Sequence, residues 1–336
     1  MLVNAHASAH DAGPGPATAP DRAAAPPAWR RFAPTRAPRR RSPRPQPVHN
    51  PPPVSVQHYE NFPVASWLCP PGLRPAVRAI YWFARTADDL ADEGEAPAAQ
   101  RQADLADYRA DLLRAATGSA VSARWSGVFD PLADVIATHR LPLPLLLALL
   151  DAFEEDTRHA GYADRAALLA YCSRSANPIG RLLLHLHHID DPLLLARSDA
   201  VCSALQLINF WQDLSVDLPR GRNYVPADAA AAQRTSVAAC LADPRAGASR
   251  ALVRELCDWA RELMLQGAPI ALDVPGRVGW ELRLVVQGGL RILEKITAMN
   301  FASFARRPHL RVADHLLIGA RALAMRPTPP QPTRTA

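Results

Sequence analysis

The chain of 336 residues is 49% hydrophobic and 6% aromatic, which supplies apolar surface for one large core or two small ones. Its formal charge of +6 is confined to residues 1–52, where Arg22, Arg30, Arg31, Arg36, Arg39, Arg40, Arg41 and Arg44 face only Asp11 and Asp21; the remainder is neutral, which excludes nucleic acid as an expected partner. Cys69, Cys172, Cys202, Cys240 and Cys257 are scattered without a CxxC pair, so neither a disulfide framework nor a zinc site is expected, and a reducing cytoplasm is the expected compartment.

Residues 1–52 are rich in Pro, Ala and Arg and read as a disordered tail. They lack the apolar stretch of a secretory signal; an electrostatic contact with an anionic membrane or a polyanion and an extension without a specific role both fit them. Residues 53–325 read as one all-α domain. Its clearest helices run from Leu73 to Ala91, Ala98 to Ala116, Pro142 to Thr157, Arg165 to Tyr171, Pro178 to His188, Pro192 to Val216, Ala248 to Gln266 and Trp280 to Ala298. Breakers separate them at Pro70-Pro71-Gly72, Pro219 with Gly221, Pro244 with Gly247, and Pro275-Gly276. The apolar run Leu141 to Leu150, interrupted by Pro142 and Pro144 and followed by Asp151, is too short to span a bilayer, so membrane contact is expected to be peripheral, at the inner membrane. Residues 326–336, with Pro327, Pro329, Pro330 and Pro332, read as a second disordered tail.

Two of these helices carry a polar ladder. Tyr81, Arg85, Asp88 and Asp92 stand at relative positions 0, 4, 7 and 11, and Gln206, Asn209, Asp213 and Asp217 at 0, 3, 7 and 11. In a 3.6-residue helix each set shares one face, and each Asp pair is stacked at a rise of about 6 Å. Like charges one turn apart weaken an isolated helix by a few tenths of a kcal/mol, so both pairs call for an external cation. Mg²⁺ is the simplest candidate, because it takes carboxylate oxygens, keeps waters and bridges to substrate phosphates. The second ladder is the more telling. Val201, Leu205, Leu207, Ile208, Phe210, Trp211 and Leu214 make its helix apolar nearly all round, so a polar stripe there must line a cavity or bind ions. Arg85, one turn before carboxylates, can neutralise them or reach a phosphate.

The segments YWFARTADDLADE (81–93) and QLINFWQDLSVDLPRGRNYVP (206–226) resemble the squalene and phytoene synthase family, whose members share an all-α isoprenoid synthase fold with a central cavity. ENFPVAS (60–66), YCSRSANPIGRLLLHL (171–186) and VVQGGLRILEKI (285–296) are similar to one branch, the HpnC-type hydroxysqualene synthases of bacterial hopanoid biosynthesis. The resemblance implies Mg²⁺ held by Asp88, Asp92, Asp213 and Asp217, with Asp89 sharing that role and Asn209 assisting. Arg85 and Arg222 would grip the diphosphate with Gln206 on the same substrate-facing stripe, Tyr81 and Tyr224 would lie near the leaving group, and Tyr171 would face the cationic part of the pocket. The implied reaction is Mg²⁺-dependent loss of diphosphate from presqualene diphosphate, with water capturing the cation to give hydroxysqualene. Its rival is head-to-head condensation of two farnesyl diphosphates, and coupling to a presqualene diphosphate synthase would follow from the first reading.

Two departures from the family pattern bear on the pocket. Asn177 precedes Pro178 where relatives carry small residues; it can orient a water or cap the helix beginning at Pro178. Gly288-Gly289 replaces an aromatic residue of some relatives and would either enlarge the pocket or serve helix packing. Glu60 is a candidate for placing water or a proton and equally a surface charge. His185, His187 and His188 lack a supported metal spacing. Glu154, Glu155 and Asp156 are expected to form an exposed helix end. Lys295, the single lysine of the chain, gains interest only if buried.

Overall fold

The computed structural model describes residues 68–92, 96–158 and 161–326; residues 1–52, Glu60 with the segment around it, and residues 327–336 lie outside these. Among the described residues thirteen α-helices follow in order: α1 (Arg74–Asp92), α2 (Ala98–Ala116), α3 (Ser126–His139), α4 (Leu143–Asp156), α5 (Arg165–Ser175), α6 (Asn177–Leu186), α7 (Pro192–Asp217), α8 (Ala227–Ala232), α9 (Val237–Ala242), α10 (Gly247–Gly267), α11 (Ile270–Asp273), α12 (Gly276–Ala298) and α13 (Val312–Ala324). No strand occurs among the described residues.

Local chemistry fixes several starts. Asp164 accepts from Ala167 N at 2.8 Å to cap α5, and Asp191 accepts from Leu193 N and Leu194 N to cap α7, whose first residue is Pro192. All eight expected helices are present. Pro275-Gly276, read as a breaker, begins α12: Pro275 is its extended N-cap and the helix starts four residues before Trp280. The expectation omitted α3, because Pro131 inside it hides the buried spacing of Val128, Phe129, Leu132 and Val135. It also omitted the short helices α8, α9 and α11, and α13, in which exposed Val312, Leu316 and Leu323 blur the division between an apolar and a polar face.

Two apolar cores flank the centre. In the first, α7 buries Leu205, Ile208, Phe210 and Trp211 against Leu252, Leu256 and Met264 of α10 and Val286, Ile292 and Leu293 of α12. In the second, Ile80 and Phe83 of α1 meet Leu105, Tyr108 and Leu112 of α2, Phe129 of α3, and Leu146 and Leu149 of α4. The Tyr108 ring lies 4.5 Å from Phe129 and 5.6 Å from Phe83, and its hydroxyl donates to Phe83 O at 3.1 Å. Helix α6 joins the halves, turning Ile179 and Leu182 to the second core and Leu184 to the first. The segment Pro192–Arg220 has the length and apolarity of a membrane-crossing helix, yet these side chains are spent on the bundle interior.

Close backbone approach holds α7 to its neighbours. A Cβ on Gly267 would lie 2.5 Å from Arg197 O and 2.8 Å from Val201 N, backbone atoms that no rotamer change can move. Gly267→Ala is therefore expected to destabilise the protein by about 1–3 kcal/mol, read as a fall in Tm. Gly289 plays a similar part: its Cβ would meet Met264 Cε at 2.8 Å and Leu205 Cδ2 at 3.0 Å, so of the two readings of Gly288-Gly289 the packing role is the one these contacts support.

Candidate active site

Helices α1 and α7 bring their ladders to the seam between the two cores. Asp88 is 1% exposed and Asp213 and Asp217 are each 4% exposed, far below ordinary aspartates. Burial, then the charge of Asp92, pushes the Asp88 carboxyl well above the usual range. Burial and then Asp213 raise Asp217 to about 7, opposed by Arg222, and Asp92 adds to the rise, so the two ladders face one another across the seam. Asp213 is raised to about 6 by burial despite Arg307, which pairs with its carboxylate.

Arg222 clasps the two sides. It follows α7 after the turn through Gly221, whose φ of 81° suits glycine. Its Nη2 donates to Asp92 O at 3.1 Å, and Nη1 lies 3.0 Å from Asp92 Oδ2 without hydrogen-bond alignment. Arg85 turns back on its own helix, 3.5 Å from Asp88 and 2.7 Å from Asp89. Asp89 is set apart from the buried carboxylates: its side chain is 40% exposed. Tyr81 is half-buried, its ring edge-on to Trp82 at 5.2 Å.

One expectation is overturned. Asp156 is buried, not part of an exposed helix end; it accepts from Tyr171 Oη at 2.7 Å, and Tyr224 Oη lies 3.5 Å away. The physical reason is periodicity, since Asp156 continues the inward face of Leu146, Leu149, Leu150 and Phe153 on α4. Burial and then Asp92 raise its carboxyl well above the usual range, against the Tyr171 hydrogen bond. Glu154 and Glu155 are the surface residues of that end, paired with Arg109 and Arg174. Tyr224 stacks on Phe210 at 3.8 Å with an interplanar angle of 6°, and Tyr162 lies 5.5 Å from Tyr171. An aromatic wall thus stands directly beside the carboxylates, with Asp156 fixing two of its hydroxyls. Tyr171→Phe keeps the ring and removes that bond; it is expected to lower kcat about tenfold and leave KM within about twofold, the split expected of a group that positions the wall.

Gln206 lies N-terminal to Asp213 on α7, and Asn177 stands on the neighbouring α6. Gln206 is 0% exposed, and both its amide atoms lack a hydrogen-bond partner. Asn209 is half-buried. Asn177 is the first residue of α6, whose N-cap is Ala176 with no side-chain cap bond, so the capping reading of Asn177 fails. Its Oδ1 accepts from Ser203 Oγ at 2.9 Å, about 15 Å along the helix axis from Asp213. His185 Nε2 contacts His139 O at 2.9 Å. Lys295 is part-buried and pairs with Asp314 at 2.6 Å.

The donor set suits Mg²⁺ shared with a phosphate better than an all-protein cage. Asp88 Oδ1 and Asp217 Oδ2 are buried without a hydrogen-bond partner, and burial, then a neighbouring aspartate, raises both carboxyls, so that a bound cation would favour their charged forms. No three His, Cys, Asp or Glu side chains converge on one metal position among the described residues. Mg²⁺ ordinarily takes one or two carboxylates, with water and substrate phosphate completing its shell.

The sequence profile of the squalene/phytoene synthase family matches residues 55–314. The hydroxysqualene synthase of Zymomonas mobilis subsp. mobilis is 41% identical over 172 residues, 50% of this chain and 55% of that protein. That of Sinorhizobium fredii is 30% identical over 273 residues, 80% of this chain and 90% of the relative. The crystal structure of squalene synthase HpnC from Alicyclobacillus acidocaldarius is similar with a TM-score of 0.66 at 35% identity, covering 73% of this chain and 90% of that one. With its helices arranged as in these isoprenoid synthases, the chain belongs to the squalene/phytoene synthase family.

Proposed function

We propose that this enzyme converts presqualene diphosphate and water into hydroxysqualene and diphosphate, a carbon–oxygen lyase reaction dependent on Mg²⁺. The observation that carries the reading is the pair of buried, mutually opposed aspartate ladders beside an aromatic wall, in a chain whose relatives include two hydroxysqualene synthases. Asp88, Asp92, Asp213 and Asp217 would hold the metal, which when bound supplies positive charge for the departing diphosphate. Arg222 Nη1, 3.0 Å from Asp92 Oδ2 but not aligned to hydrogen-bond it, would share its charge with a phosphate oxygen. Tyr171, Tyr224 and Phe210 present ring faces that tolerate positive charge on the hydrocarbon. Asn177, held by Ser203, has an amide NH₂ with which to seat the water that ends the reaction.

The purified chain, incubated with presqualene diphosphate and Mg²⁺ without a nicotinamide, is expected to yield hydroxysqualene by mass spectrometry. Formation of presqualene diphosphate or squalene from farnesyl diphosphate under the same conditions, with no alcohol from presqualene diphosphate, would assign the condensing reaction instead. A place beside a presqualene diphosphate synthase follows from the substrate, since such an enzyme must supply it.

A further inference from the structure

Helix α13 presents a surface that the bundle does not use. Its inner side is pinned: Ile318 and Ala322 are buried, and Asp314 accepts from Arg291 Nε at 2.7 Å and from Lys295 Nζ at 2.6 Å. This clamp prevents the helix from rolling. On the opposite side Val312, Leu316 and Leu323 are 81%, 74% and 71% exposed, and at 100° per residue they fall within one narrow stripe. Gly319 lies between them with open space around it. These are among the most exposed large apolar side chains of the described residues, and a fixed helix turns all three outward.

The surroundings are basic. Residues 306–326 contain Arg306, Arg307, Arg311, Arg321 and Arg326 against Asp314 alone. At the start of α13 a cleft of about 520 Å³ is lined by Arg291, Lys295, Arg306, Arg307, His309 and Arg311, with Glu294 the one acidic residue in its wall. Arg307 also pairs with Asp213, so the cleft borders the catalytic seam. An apolar stripe with a basic margin is what an anionic bilayer surface accepts: acyl chains take the leucines and headgroup phosphates take the guanidinium groups. A second copy of the chain fits less well, because stripe-to-stripe pairing would oppose the arginines of the two copies.

We propose that α13 and the basic cleft at its N-terminus dock this protein on an anionic phospholipid bilayer, placing the catalytic seam next to the membrane. The surface stands independently of the proposed reaction, and its test reads binding alone. Full-length protein is sedimented with vesicles of phosphatidylcholine and with vesicles of equal phosphatidylcholine and phosphatidylglycerol. Wild type is expected to partition onto the anionic vesicles at least about tenfold more strongly. Leu316→Ser with Leu323→Ser, and separately Arg306→Glu with Arg311→Glu, are each expected to lower that partition at least about tenfold while leaving Tm unchanged, since all four side chains are exposed. Wild-type partition by both double variants would overturn the proposal and assign any membrane affinity to residues 1–52. A dimer in sedimentation equilibrium that Leu316→Ser with Leu323→Ser dissociates would overturn it in favour of a second copy.

Discussion

Asp217→Asn is expected to lower diphosphate release at least about a hundredfold and, in the metal-free protein at pH 8, to raise Tm. The two effects have one cause. Burial and the neighbouring Asp213 hold the Asp217 carboxyl at about 7 against an ordinary 3.8. Between these values the folded protein keeps a proton that the unfolded chain has released, so this group's contribution to stability falls as pH rises through that window and stays low above it. Asparagine has no charge to desolvate. The metal-free variant should lose the part of the decline between pH 5 and pH 8 that Asp217 causes and exceed wild type at pH 8 by about 1–3 kcal/mol, or roughly 3–10 °C. Saturating Mg²⁺ and diphosphate should restore wild-type stability and do far less for the variant. A Tm at pH 8 that the substitution leaves unchanged would show that Asp217 is not the strained carboxylate described above.

Arg222 gives the opposite result. Its guanidinium is 5% exposed and spans from the end of α7 to Asp92. Removing one partner of a buried ion pair leaves the other charge uncompensated, at a cost of about 3–5 kcal/mol. Here the cost is raised by the company Asp92 keeps, since its charge acts on Asp88, Asp156 and Asp217. Arg222→Met should therefore lower Tm by roughly 6–20 °C and abolish turnover. Arg222→Lys separates structure from chemistry: a compact ammonium can offset much of the charge, while a single point donor cannot reproduce the planar fork that would hold Asp92 and a phosphate together. Much of the wild-type Tm with turnover down about a hundredfold is expected. A lysine variant with wild-type turnover would remove Arg222 from diphosphate binding.

Much of the site was legible because helical spacing is a strong constraint. Offsets of three, four, seven and eleven place side chains on one face whatever the tertiary structure, and the apolar surroundings of Asp213 and Asp217 showed that this face turns inward. Pairing across the seam carries no such local mark. Arg307 reaches Asp213 from a non-helical stretch 94 residues away, and no pattern in FARRPHL announces it. Asp156 is different, for its signal was present: it stands three residues after Phe153 on the same inward stripe, but the adjoining Glu154 and Glu155 gave the whole end the look of a solvated one. Asn177 shows a third kind of gap. Asn-Pro at a helix start satisfies the capping rule, yet the bond to Ser203 comes from the approach of α6 to α7 at Gly180, where an added Cβ would lie 2.5 Å from Ser198 Oγ.

Helices with a continuous buried stripe, such as α2 and α10, are legible in the sequence, and interrupted or two-sided ones are not. Helix α3 is interrupted by Pro131, and α13 is apolar on two sides, one facing α12 and one facing out.

The opposed carboxylates of α1 and α7 are proposed to bind diphosphate through Mg²⁺. Calorimetric titration of the purified protein with inorganic diphosphate tests this most directly. Binding that requires Mg²⁺ and is lost in both Asp88→Ala and Asp213→Ala is the predicted result; equal binding without Mg²⁺, or in either variant, would contradict it.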